Sequence, residues 1–362
     1  MRPRTYALSI PLIGVLVAAL LAGCAGDPDR GGCDISSTGS AGDAISLVAT
    51  FTPARLDAGS LVTSADGTYV VASCTGGICR WNAGGGAYET ISDRGYDAIS
   101  PDLSLVARKV GCADVALVEV DGGTEVQRLE GLPDPKITDV SPVGEIAFSP
   151  DGRLVAGAGL QGDLVIWSTE DGDEMTRTDL GTGVGSISFS PDSKQVAVSA
   201  DDSISILDAG SGDEVGTISA ASGTGPAWSP DGRWIAGVTT EGSPTVWDAK
   251  TFKTVETFNG FDAASVAFSP NSRSLAATSE GGDGPKGDEA RLALWTPTAL
   301  GGSGETRDVS KSVAPGSNVV FRPDGKVLYT ATAEDGLAAW DLRTGKPASP
   351  FQAPGLSTTS TG

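Results

Sequence analysis

Between residues 60 and 345, apolar positions come in short alternating runs, and no window there shows a helical period. One unit shows the order. Glu145-Ile146-Ala147-Phe148 leads into Ser149-Pro150-Asp151-Gly152, then Leu154-Val155-Ala156, then a Gly- and Asp-rich break, then Leu164-Val165-Ile166-Trp167 and a more polar run. Proline pre-sets φ for the first central turn position, and Gly accepts the positive φ that follows. The phrase recurs at Phe189-Ser190-Pro191-Asp192, Trp228-Ser229-Pro230-Asp231, Phe268-Ser269-Pro270-Asn271 and Phe321-Arg322-Pro323-Asp324. Looser copies are Ile99-Ser100-Pro101-Asp102 and Thr63-Ser64-Ala65-Asp66. Anchored on residues 65, 101, 150, 191, 230, 270 and 323, the intervals are 36, 49, 41, 39, 40 and 53. Four short strands per unit at this period predict an all-β seven-bladed β-propeller of four-stranded antiparallel blades over residues 44–352. Ile45 to Phe51 reads as a fourth strand that completes blade seven beside 337–341 and closes the ring. Pro347 to Phe351 competes for that place, and its two prolines argue against it.

These residues resemble the WD-repeat family, whose unit runs from a Ser-Pro-Asp-Gly turn to a strand ending in Trp-Asp. Asp151 to Ser168 and Asp231 to Asp248 follow it closely, and the resemblance covers roughly 60–345. It implies a propeller and a protein-binding role. Many members join a His, an Asp, a Ser or Thr and the Trp in a buried network; this chain has no histidine. The indoles of Trp167, Trp247, Trp295 and Trp340 therefore need other partners. The Ser-Pro-Asp-Gly turns are also similar to those of periplasmic TolB-like propellers.

The N-terminus changes the picture from a plain propeller to an exported one. Arg2 and Arg4 precede the apolar stretch Tyr6 to Leu21, which ends at Leu21-Ala22-Gly23-Cys24. This matches a bacterial lipobox, so residues 1–23 read as a signal peptide and Cys24 as the acylated N-terminus. More than one acyl chain is needed for stable anchoring. Residues 24–43 read as a flexible tether and 353–362 as a disordered tail. The expected location is the cell membrane, facing the extracytoplasmic side, with the bilayer touched through the Cys24 lipid alone. The net charge of −21 argues against nucleic acid and against anionic headgroups.

Four cysteines remain in a compartment where disulfides persist: Cys33, Cys74, Cys79 and Cys112. Cys74 and Cys79 flank the hinge between the second and third strands of blade one and read as facing partners, which leaves Cys33 with Cys112. Without histidine the Ser-His-Asp and Cys-His arrangements are excluded, no metal or cofactor site is expected, and no catalytic residue is assigned. The densest acids, Asp201-Asp202, Glu170 to Glu174, and Asp283 with Asp288-Glu289, fall in turns.

Departures from the repeat are where a partner is expected. Residues 131–143 and 280–290 stretch the two longest intervals and belong to one face. Leu132, Pro133, Asp134 and Lys136 in the first, and Asp283, Lys286, Asp288 and Glu289 in the second, form the expected partner-binding loops. The resulting expectation is a monomeric, lipid-anchored, non-enzymatic scaffold that binds a protein at the cell envelope. The alternatives are a carboxylate-based hydrolase or lyase of envelope glycans, and a sensor of a small ligand or cation. Buried carboxylates at the channel mouth would favour the enzyme; Ser, Thr and Gly there would favour binding.

Overall fold

The computed structural model describes residues 61–74, 77–85, 88–92, 97–110, 114–131, 143–159, 162–219, 221, 225–279, 291–302, 304–310, 318–332, 336–342 and 346–350. Their strands form seven antiparallel sheets of four, each in chain order. Blade one runs from Val62–Thr63 to Tyr88–Ser92, blade two from Ala98–Ile99 to Glu125–Leu129, and blade three from Val143–Phe148 to Glu174–Asp179. Blade four runs from Val184–Phe189 to Glu214–Ser219, and blade five from Ala227–Trp228 to Thr254–Thr257. Blade six runs from Ala263–Phe268 to Glu305–Ser310, and blade seven from Val319–Phe321 to Lys346–Pro350. Each anchor turn joins a first strand to a second, as expected.

Adjacent blades approach one another through their first strands, which therefore surround the central axis. Second and third strands are largely buried, while fourth strands such as Glu174–Asp179 alternate exposed and half-buried positions on the rim. The core is not within the sheets but between them. Buried side chains gather into seven clusters, one per seam; Leu117, Leu129, Ile146, Val155 and Trp167 fill the seam of blades two and three. Each such side chain contributes about 1.5–3 kcal/mol on burial, and every blade shares its apolar faces with both neighbours.

The ring does not close as the sequence suggested. Lys346–Pro350 pairs with Gly336–Asp341, with Trp340 opposite Pro347 and Ala338 opposite Pro350, and so supplies the fourth strand of blade seven. The prolines are tolerated because this strand is outermost, where a missing N–H on the solvent side breaks no ladder bond. Residues 45–51 lie outside the described residues. The seam between blades seven and one is closed by side chains: Leu61, Val70, Trp81, Val327, Tyr329 and Leu337 pack together, and the Tyr329 hydroxyl donates to the Ala83 carbonyl at 3.3 Å.

The indoles find substitutes for the missing histidine network. Trp167 Nε1 donates to the Glu130 carbonyl of the preceding blade at 2.9 Å, and Trp340 Nε1 donates to the buried Thr330 hydroxyl at 3.1 Å. Trp295 is stacked on Phe258 and meets Phe261 edge-on. Blade seven thus keeps the hydroxyl–indole half of the network. Blade five carries Gly237 at the corresponding second-strand position, packed directly on the Trp247 ring.

Candidate functional site

The two faces of the ring are built differently. On one face lie the turns between first and second strands. In blades one to six a buried Ser opens the turn, and its hydroxyl donates to the Asp or Asn two residues on at 2.6–2.7 Å. The same hydroxyl accepts the N–H five residues on at 2.9 Å. These bonds hold the carboxylates in their charged form: Ser64 and then Thr68 bring Asp66 down to about 2, and Ser190 lowers Asp192. In blade seven Arg322 replaces the Ser and clasps Asp324 with two bonds of 2.9 and 2.7 Å.

The turn residue after Asp or Asn takes positive φ in every blade: Gly67, Leu103, Gly152, Ser193, Gly232, Ser272 and Gly325. Where it is Ser, the hydroxyl is used. Ser193 accepts the Asp151 N–H of the previous blade at 3.2 Å, and Ser272 accepts that of Asp231 at 3.1 Å. Ser193 and Ser272 thus link the turns of blades three and four and of blades five and six.

On the opposite face lie the links from fourth to first strand and from second to third. Residues 132–142 join the end of Glu125–Leu129 to Val143–Phe148, and 280–290 join Leu275–Ser279 to Leu292–Thr296. The flanking strands therefore put both breaks on this face, as expected. Leu132, Pro133, Asp134, Lys136, Asp283, Lys286, Asp288 and Glu289 themselves lie outside the described residues.

At one position of the first strands, which surround the axis, the described residues are mostly small or polar. Three residues before the end of the first-strand phrase stand Glu145, Ser186, Gly225, Ser265 and Asn318 in blades three to seven. Gly225 and Ser186 are close neighbours across a seam: a Cβ on Gly225 would lie 3.1 Å from the Ser186 hydroxyl. Glu145 is the exception, and sequence reasoning missed it because it sits inside an otherwise ordinary strand run. Burial pushes its carboxyl up to about 7; Lys109 pulls it down and Asp97 pushes it up. Asp97 is itself held by Lys109, through the ammonium at 3.2 Å and the backbone N–H at 2.8 Å.

The remaining acids are spread out. Glu174 pairs with Arg177 at 2.6 Å, Asp171 accepts the Asp173 N–H, and Asp201 accepts the Thr182 hydroxyl at 2.7 Å. Among the described residues no group of three or more Cys, Asp or Glu side chains is arranged to hold a metal, and no helix is long and apolar enough to cross a membrane. Cys79 is disulfide-bonded, and its side chain belongs to the seam of blades one and seven. In the hairpin Cys74 stands opposite Gly77 and Cys79 opposite Ala72, so the two are diagonal and not directly facing. Cys24, Cys33 and Cys112 lie outside the described residues, as does the Cys74 side chain.

A family model described as "WD domain, G-beta repeat" matches residues 123–168 and 176–208. Each match starts in or just before a fourth strand and ends with the third strand of the next blade, so the sequence repeat straddles two sheets. The chain is a seven-bladed propeller, two stretches of which match the WD repeat. Among curated proteins it is similar to the small ribosomal subunit proteins RACK1y and RACK1z of Oryza sativa subsp. japonica, 33% and 35% identical over 66 residues. That stretch is 18% of this chain, and the chain spans about a fifth of the length of those relatives. A chain in a structure titled "Crystal Structure of Mitotic Checkpoint Complex" matches 85% of this chain and 98% of its own length, with a TM-score of 0.61 at 18% identity. That likeness bears on the fold alone.

Proposed function

We propose that this protein is an exported lipoprotein, anchored through Cys24, whose WD-type propeller binds a protein partner at the cell envelope and performs no catalysis. The observation that carries the binding role is that four of the five corresponding first-strand positions, Ser186, Gly225, Ser265 and Asn318, present small or uncharged groups where blade three has Glu145. The WD repeats support a protein partner. The names of the similar rice proteins place those proteins in a ribosomal subunit, and a role within an assembly is the reading they lend here. The two long breaks on one face supply a surface that differs from the regular repeat. The charge of −21 turns the protein away from nucleic acid and anionic lipid, which leaves the Cys24 lipid as its membrane contact.

Two experiments test this. Cys24→Ser should move the protein from the membrane fraction to the soluble fraction; continued anchorage contradicts the lipoprotein assignment. Shortening 132–142 and 280–290 to the loop lengths of blades four and five should leave the melting curve intact and abolish partner capture. A second reading has one specific observation behind it. Glu145, its carboxyl raised to about 7 chiefly by burial, with the carboxylate Asp97 acting on it, is a pairing a glycan hydrolase can use as acid and partner carboxylate. Turnover of envelope glycans that disappears in Glu145→Gln would establish that reading instead.

A further inference from the structure

The ring of turns carries an uneven charge. In blades one and two, Asp66 and Asp102 are followed by the hydroxyl residues Thr68 and Ser104, so each turn carries one uncompensated acid. In blades three, four and five, Arg153, Lys194 and Arg233 balance Asp151, Asp192 and Asp231. Blade six has Asn271 in place of the acid but keeps Arg273, and blade seven adds Arg322 to Lys326 against Asp324. Two adjacent turns therefore carry excess positive charge in a chain whose net charge is −21.

Between those two turns lies a solvent-open cavity of about 460 Å³. Its apolar lining is Leu294, Phe321, Leu342, Pro270 and Pro323, and its one charged lining residue is Asp324; Arg273 and Lys326 follow the lining residues Asn271 and Asp324 two positions on. Its polar edge includes Asn271, Ser274 and Asp324. The Asn271 Oδ1 is taken by the Ser269 hydroxyl and the Arg273 N–H, while its amide N–H groups have no partner among the described residues. Arg273 and Lys326 are both exposed; Asp324 is held low first by its bonds to Arg322 and also by the charge of Lys326. Asp324 is already neutralised by Arg322. Asp341, next to Leu342, is a further carboxylate in this region and has a partner of its own. With both acids counted, cations still exceed carboxylates.

We infer that the cavity between blades six and seven, on the turn face, is a docking site for an acidic segment of a partner protein, which inserts one apolar side chain between Pro270 and Pro323 and places carboxylates against Arg273 and Lys326. Charge complementarity selects the acidic segment: among the described turns of this face, these two carry the excess of positive charge. The apolar floor selects a peptide over a free anion, because it has area to bury and Asn271 has amide protons to give to a main-chain carbonyl. The site is on the face opposite the breaks at 132–142 and 280–290, so it is a second surface, independent of partner capture there.

The test is selection from a phage library of random twelve-residue peptides on the purified protein, followed by fluorescence anisotropy of the selected sequences. The control is the Arg273→Glu/Lys326→Glu double variant, whose folding is checked by its melting curve. Both residues are exposed and outside the seams. Selected peptides should carry Asp or Glu around a Leu, Ile, Phe or Met. They should bind the double variant at least about tenfold more weakly, and lose several-fold in affinity between about 50 and 200 mM salt. Leu294→Ala should weaken them as well without altering their salt dependence. The inference is overturned if no peptide is retained, if the consensus lacks acids, or if the double variant binds equally. It is also overturned if sedimentation with phosphatidylglycerol vesicles is lost in the double variant while peptides are not selected, which would make the patch a lipid contact.

Discussion

Where blades four and five meet, bulk has been moved from one side of a contact to the other, and the exchange can be reversed. The turn between third and fourth strands takes positive φ at Gly172 in blade three, Gly212 in blade four and Phe252 in blade five. The fourth strand of the preceding blade meets that turn with Gln127, Thr176 and Gly216 respectively. A Cβ on Gly216 would fall 2.2 Å from Phe252 Cε2 and 2.5 Å from Cδ2, so Gly216→Ala forces the ring out of its site. Overpacking of this kind costs about 1–3 kcal/mol, against a gain of about 0.5–1 kcal/mol from replacing a strand Gly. The expected net loss is about 1–2 kcal/mol, a fall in Tm of about 2–6 °C for a ring of this size. Phe252→Gly relieves a left-handed side chain worth about 1–2 kcal/mol and forfeits part of the ring's burial, so it should be nearly neutral. The double variant restores the arrangement of the other blades, with the bulk on the strand and Gly in the turn. A double-mutant cycle by urea melts should give a coupling of at least about 1 kcal/mol in favour of the pair. Additive effects within about 0.5 kcal/mol would show that the two residues do not share this space.

Three further outcomes are expected. Glu145→Gln should leave stability nearly unchanged at pH 4 and raise it at pH 8 by up to about 3 kcal/mol: the fold favours the neutral acid, so its contribution is full below the ordinary 4.5 and lost as pH rises through about 7. Melting curves at the two pH values check this, and an equal effect at both would contradict the buried carboxyl. Ser193→Ala should cost about 1 kcal/mol by removing the acceptor of the Asp151 N–H, whereas Ser193→Gly should be near neutral because it also relieves the positive φ. Truncation after residue 345 should strip the outer strand of blade seven and lower Tm sharply, while deletion of 25–51, which removes the candidate N-terminal strand, should not; the opposite result would restore that strand as the ring's closure.

What the sequence made legible was what is local. The turn phrase is fixed by proline, the Asp cap and one positive φ, and all seven copies were found where the chain needs them, even with Leu103 or Ser193 in the Gly place. Properties that depend on a neighbouring blade were not legible. Glu145 is perturbed by burial and by Asp97 and Lys109 from the sheet beside it, and nothing in its own strand announces that. Pro347 and Pro350 were weighed as strand breakers because their edge position is a fact of the ring and not of the segment. Cys74 and Cys79 were placed face to face because the hairpin hinge could not be counted to the residue; the real register sets them two places apart. The positive cavity of blades six and seven needed both turns in space, although Asn271 and Arg322 were visible as departures from the repeat.

The most direct test of the central claim is co-purification of the full-length protein and its loop-shortened variant from fractionated cells that make them, with both tested in parallel on envelope glycans. The account predicts that a protein partner is retained in proportion by the intact chain and lost from the variant with 132–142 and 280–290 shortened, that both fractionate with membrane through Cys24, and that neither turns over glycan. Retention of the same partner by the shortened variant, or glycan turnover by the intact protein, would contradict it.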